Sequence, residues 1–258
     1  MFRKVVFCIS AGLFFLFLGL DCAGQGAELR EGYYPDGKLR YKGYFTGTEP
    51  TGEVTHYYAD GKVKAVMNHR GDRTEAVIYS KDGLFSTQGV YQRRKKDGVW
   101  LYKKGERVMA RETYRNDRLE GMTEKYDSTG KVLEASSWKE GLLFGRRRVY
   151  YPSGKLHFEI YFADGKPDGP ARVYSQEGEL AAEGNYKDGL RDGLWRYFDG
   201  NGKVKKSYTF RDGRSAELEA EELEAGRELD EWLNSDRKLA DPADFTDQPE
   251  MYLKIAGD

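Results

Sequence analysis

The sequence has 258 residues with 42 basic and 43 acidic side chains, a formal net charge of −1, and an aromatic content of 14%. Three histidines and two cysteines, none in a metal-ligand spacing, exclude a metal cluster, a disulfide framework and thiol catalysis as organising principles. The near-neutral total hides a division. Residues 215–258 hold fourteen acidic and four basic side chains, and residues 26–214 carry a compensating positive excess of +8.

At the N-terminus, Arg3 and Lys4 precede an apolar run from Val5 to Leu20. A basic start, an apolar core of this length and small residues beyond it read as a secretory signal over residues 1–25. The run is shorter than the roughly 20 residues of a spanning helix. Cleavage is expected after Ala23 or Gly24. Cys22 is the candidate for lipid attachment instead, although Asp21 before it is neither small nor neutral. In either case the remaining chain is expected to be exported: periplasmic, outer-membrane-associated or extracellular. Membrane association is then expected only through the N-terminus, if it is lipidated or left uncleaved as an anchor, and nucleic acid is not an expected partner. Cys8 and Cys22 are the two cysteines, so the exported part has no thiol.

From residue 32 to 214 the chain repeats itself about every 24 residues. Glycines stand at Gly37, Gly61, Gly83, Gly105, Gly130, Gly154, Gly178 and Gly202. Two residues after them come Leu39, Val63, Phe85, Val132, Leu156, Leu180 and Val204. Eight residues after them come Phe45, Tyr91, Trp138, Phe162, Tyr186 and Phe210, with His69 and Thr113 as exceptions. At 14% aromatic content about one of these eight positions would be aromatic by chance. The unit at Gly105 is out of step by one residue, with Val108 and Tyr114 one place late. Within a unit the apolar residues alternate, as in Leu156, Phe158, Ile160 and Phe162, which is the period of a half-buried strand. Asp164-Gly165, Asp188-Gly189 and Asp212-Gly213 supply tight hairpin turns, and Gly145, Gly169 and Gly193 precede a second strand. Eight such hairpins predict roughly fifteen strands in one meander, on the order of 70 Å long. A repeat of this period signals an array in which each unit buries its apolar face against its neighbours.

The unit Tyr-Tyr-x-x-Gly-Lys-Leu, best seen at Tyr150–Leu156 and again from Tyr174 to Phe198, resembles the MORN-repeat variant. In bacteria that family is commonly labelled a YwqK-type antitoxin. The resemblance implies an all-β fold: an elongated open antiparallel meander of about eight MORN-like hairpin repeats. It also implies a binding scaffold, with neutralisation of an exported toxin as a variant of that role.

Past Arg214 the texture changes. Ser215 is a helix-capping residue, glutamates crowd the next turns, and Leu218, Ala225, Leu229, Trp232 and Leu233 recur at helical spacing. A short α-helix over about 216–234 is expected, then a tail in which Met251–Ile255 form a strand or a docking peptide. The helix is expected to cap the open sheet, drawn by the opposite charge of the array. The alternative is that the tail occupies a basic binding surface until a partner displaces it.

No Gly-x-Ser-x-Gly, phosphate-binding loop or histidine pair gives a reason to expect catalysis, a cofactor or a bound metal. Tyr41, Trp138, Tyr161 and Trp195 belong either to the buried stripe or to an open face that stacks on sugars, peptides or headgroups. Arg146, Arg147 and Arg148 stand near a hairpin, with Arg146 and Arg148 on one strand face and Arg147 on the other. They discourage edge pairing or contact an acidic protein, an anionic lipid or an envelope polymer. The expected role is a non-catalytic protein-interaction scaffold in the envelope or outside the cell. Direct binding of glycan or anionic lipid is the alternative.

Overall fold

The computed structural model describes residues 26–215 and 224–234. Residues 1–25 with Cys22, the first part of the expected helix and the segment Met251–Ile255 lie outside the described residues. The strands are β1 (Glu28–Tyr33), β2 (Leu39–Thr46), β3 (Glu49–Tyr57), β4 (Val63–Arg70), β5 (Arg73–Tyr79), β6 (Phe85–Gln92), β7 (Lys95–Lys104), β8 (Arg107–Arg115) and β9 (Arg118–Leu119). They continue with β10 (Gly121–Tyr126), β11 (Val132–Lys139), β12 (Leu142–Tyr150), β13 (Leu156–Ala163), β14 (Lys166–Tyr174), β15 (Leu180–Lys187), β16 (Leu190–Phe198) and β17 (Val204–Phe210). One helix, α1 (Glu224–Asn234), follows.

These strands form a single open antiparallel sheet of 17 strands in which each pairs with its sequence neighbour, as the repeat predicts. Two features raise the count above fifteen. β1 pairs with β2 although it lies before Gly37, the first glycine of the repeat. β9 and β10 both pair with β8 and are one strand divided by a bulge, where Gly121 takes a φ of +90°.

Two turn types alternate along the array. At one side a four-residue turn returns the amide of Gly37, Gly61, Gly83, Gly130, Gly154, Gly178 or Gly202 to the carbonyl three residues earlier. At the other side two-residue turns join the strands. Asp164-Gly165, Asp188-Gly189 and Asp212-Gly213 have both φ positive, as type I′ turns require. Gly105 belongs to the two-residue kind, between β7 and β8, which is why its unit is out of step in the sequence. The glycines at 145, 169 and 193 are left-handed as well. Each stands near the register shift between its strand and the one before it, so these recurring glycines mark β-bulges.

Residues facing each other across antiparallel strands share a sheet face, so the register traces each face in rows. The inner row runs through Val54, Met67 and Ala76 to Gly89 and Trp100, then Glu112, Thr123, Ser136, Arg147, Ile160 and Ala171, and ends at Gly184, Trp195 and Tyr208. The outer row includes Arg111, Glu124, Arg148, Glu159, Arg172, Glu183 and Arg196. Core residues sit on the inner face. The larger cluster combines Phe158, Ile160, Phe162, Tyr186, Trp195 and Phe210 with Leu229 of α1. A smaller one combines Trp100, Tyr102, Ala110 and Tyr114. Both tryptophans are fully buried.

Each tryptophan needs a glycine beside it. A Cβ on Gly89 would lie 2.3 Å from the Trp100 ring, and one on Gly184 would lie 2.2 Å from the Trp195 ring. Neither glycine has an unusual φ, so the requirement is for space and not for backbone freedom.

Candidate binding surfaces

The sequence-predicted residues fall on both faces. Arg146, Arg148 and Tyr161 share the outer face. Arg146 donates from Nε to the Tyr161 hydroxyl at 2.9 Å, and its guanidinium lies 5.1 Å from that ring centre. Arg148 Nε donates to Glu159 Oε2 at 2.7 Å. From there the charges alternate across the strands: Arg172 reaches both Glu159 and Glu183, and Arg196 meets Glu183 at 3.3 Å. Farther along the same row Arg111 meets Glu124 at 3.5 Å. The ladder is a sequence of partly exposed pairs, each contributing a few tenths of a kcal/mol to about 1 kcal/mol. Beside it on the outer face runs a row through Val99, Thr113, Met122, Ser137, Tyr161 and Leu194, of which Val99, Met122 and Leu194 are exposed.

Arg147 points to the inner face, as its place between the other two arginines requires. It donates to Glu134 at 2.8 Å, and its guanidinium lies 4.2 Å from the centre of the Trp232 ring of α1. Glu134 is also reached by Lys125 at 3.5 Å and by the Ser136 hydroxyl. Burial pushes the Glu134 carboxyl up, but Arg147 and Lys125 with two hydrogen bonds outweigh it and hold it below the usual carboxylate range. Trp138 lies half-buried on the same face and donates from Nε1 to Thr123 at 2.8 Å. Trp195 is core and donates to the Asn185 carbonyl at 3.0 Å.

The contacts that fix α1 carry no signal obvious from sequence. Arg191 donates to the Gly226 carbonyl and to Asp230 Oδ2, both at 2.6 Å, and to the Tyr197 hydroxyl at 3.2 Å. The Tyr186 hydroxyl donates to Asp230 Oδ1 at 3.0 Å. The Arg191 guanidinium lies 4.9 Å from the Trp195 ring centre. Leu229 is fully buried, and Trp232 packs on Phe158 at 5.7 Å between centroids. His157 lies between Tyr151 and Phe158, stacked at 4.0 and 3.6 Å, and burial lowers its pKa to about 4. At neutral pH it is therefore uncharged, and its 3.7 Å approach to Glu228 is not an ion pair.

Tyr41 lines a different part of the inner face. With Phe45, Val54, His56, Met67 and Ile78 it forms an apolar groove of about 770 Å³, with Arg40 and Lys64 also in its wall. His56 and His69 in this groove have pKa values lowered first by burial. Among the described residues no group of histidine, cysteine and carboxylate side chains is arranged to hold a metal ion. Nor is any described helix long and apolar enough to cross a membrane.

The family model described as "MORN repeat variant" matches residues 29–46, 50–70, 145–164, 167–188 and 191–212. Five repeats of the chain thus match the MORN repeat variant, and the other units continue the same sheet. No curated protein matches it. Similar solved structures include a GtfA/B complex bound to UDP and GlcNAc, at 12% identity and a TM-score of 0.22, over 44% of this chain and 22% of that one. Another is a TarM mutant of S. aureus with fondaparinux, α-GlcNAc-glycerol and UDP, at 8% identity and a TM-score of 0.23, over 54% of this chain and 21% of that one. The chain thus spans about a fifth of those proteins, and likeness this slight carries no argument about activity.

Proposed function

We propose that the array is a non-catalytic scaffold for a protein partner, exported by the N-terminal signal, and that the partner binds the outer face. The observation that carries this reading is the outer face itself. A row with exposed Val99, Met122 and Leu194 and half-buried Tyr161 runs beside a ladder whose charges alternate and are already paired. Apolar contact beside a patterned polar border is the chemistry of protein interfaces. A polyanion or an anionic membrane is served better by unpaired cations, and Arg146, Arg147 and Arg148 all have acidic or phenolic partners. Direct glycan or anionic-lipid binding is therefore the second reading. It draws on Tyr161 with Arg146, an aromatic face next to a cation.

The test is affinity capture of the chain from crosslinked cells, with the unaltered protein beside the triple variant Arg146→Ala, Tyr161→Ala, Arg172→Ala. One stoichiometric protein, retained by each single substitution and lost by the triple one, is expected. Equal capture by the triple variant would refute the outer-face assignment. Absence of any enriched protein, with binding to anionic vesicles that falls steeply with salt, would favour the second reading.

A further inference from the structure

The sequence contains one motif twice: Lys96-Asp97-Gly98-Val99-Trp100-Leu101-Tyr102 and Arg191-Asp192-Gly193-Leu194-Trp195-Arg196-Tyr197. The structure builds the same inner-face cluster from each copy. Trp100 sits on Gly89, donates to the Val90 carbonyl at 3.2 Å and meets Tyr91 edge-on at 4.8 Å. Trp195 sits on Gly184, donates to the Asn185 carbonyl and meets Tyr186 edge-on at 5.3 Å. A buried cation flanks each ring: Lys96 Nζ at 5.0 Å from Trp100 and Arg191 at 4.9 Å from Trp195. In the second copy, Tyr186 and Arg191 together grip Asp230 of α1. Tyr91 and Lys96 stand at the same places in the first copy.

α1 also has a direction. Gly226 lies at Arg191 of β16, while Trp232 lies over Phe158 of β13 and Arg147 of β12. The helix therefore runs back along the inner face toward the start of the array, and residues 235–258 continue from its leading end. The Trp100 cluster is about five strands farther on and the apolar groove about eight, roughly 25 and 40 Å at the usual strand spacing. Residues 235–258 reach on the order of 75 Å when extended. Their composition fits what lies in that path. Asp241, Asp244, Asp247 and Glu250 would approach Lys96, Arg40 and Lys64, and Phe245, Met251, Tyr252, Leu253 and Ile255 match an apolar groove whose wall includes Tyr91 of the Trp100 cluster.

We propose that residues 235–258 of this same chain dock along the inner face, a carboxylate of the segment binding Lys96 at the Trp100 cluster as Asp230 binds Arg191, and the apolar residues 251–255 filling the Tyr41–Tyr91 groove. The inner face is then occupied throughout by the chain's own C-terminal region, independently of what the outer face binds.

The experiment uses the full chain in cells, with a photo-crosslinking phenylalanine analogue at Leu253 and mass spectrometry of the crosslinked peptides. Crosslinks within one chain to residues 41–57, 65–78 or 91–102 are expected. Lys96→Gln should lower their yield about tenfold, and Lys96→Arg should preserve it. The paired change Asp247→Asn, Glu250→Gln should lower the yield too, and it leaves the array untouched. Crosslinks confined to β12–β17, crosslinks that join two copies, or crosslinks only to another protein would each overturn the proposal.

Discussion

Trp100 and Trp195 hold the same place in the repeat, yet the structure around them differs. Among the described residues Trp195 belongs to a cluster of twelve buried residues that includes Leu229 of α1, whereas the Trp100 cluster has four. The two sites share a sheet, a tryptophan, a glycine and a flanking cation. What separates them among the described residues is α1, which packs on the Trp195 site. A single sheet buries one face where another element covers it, and over the Trp195 cluster that element is α1. The row between the two sites is correspondingly polar, with Glu112, Thr123, Ser136 and Arg147 in place of aliphatic residues.

The comparison can be sharpened by substitution, beginning with the largest effect. Trp195→Ala should cost about 3–5 kcal/mol in urea unfolding, because the ring is the centre of the covered core. Asp230→Ala removes the carboxylate that Arg191 and Tyr186 share and should cost about 1.5–3 kcal/mol. Its companion signature is a Trp232 fluorescence that shifts to the red as α1 leaves the sheet. Gly184→Ala should cost about 1–3 kcal/mol by overpacking against a ring that cannot move. Gly89→Ala should cost less, since among the described residues Trp100 belongs to the smaller buried cluster. Equal losses for the two glycines would mean that both tryptophans are equally confined.

Acid sharpens the same contrast. His157 has a folded pKa of about 4, below its ordinary value near 6.5, because burial disfavours the charged ring. The unfolded chain therefore binds the proton first. Stability contributed at His157 is complete above the unfolded pKa and declines as pH falls from about 6.5 to 4, by roughly 1–2 kcal/mol once partial solvent access is allowed for. In His157→Phe that part of the slope should disappear, as read from unfolding at pH 4.5 and 7. The smallest effect belongs to the outer ladder. Glu183→Ala should cost about 0.2–1 kcal/mol, less at high salt.

Much of this was legible in the sequence because a repeat displays its own rules. The glycine spacing, the alternation in Leu156–Phe162 and the Asp-Gly turns specify the meander directly, and the opposite directions of Arg147 and its neighbours follow from strand period alone. The strand β1 was not foreseen, since it lies before Gly37, the first glycine of the repeat. The one-residue displacement of the Gly105 unit comes from the shorter turn between β7 and β8. The sequence leaves Trp195 and Tyr161 alike between the buried stripe and an open face, and the structure puts Trp195 in the core and Tyr161 on the outer face. Nothing local in the sequence pairs Arg191 with Asp230, 39 residues away. The one available signal was the cation two residues before Gly98 and Gly193, which among the second-strand glycines 52, 98, 121, 145, 169 and 193 stands only where a tryptophan follows two residues after the glycine.

The most direct test of the claim that α1 supplies the second layer of the C-terminal half is residue-resolved hydrogen exchange on the full chain and on Asp230→Ala. Exchange that accelerates in β13–β17 while β2–β5 keep their rates is the predicted result. Uniform acceleration along the whole array, or none, would contradict it.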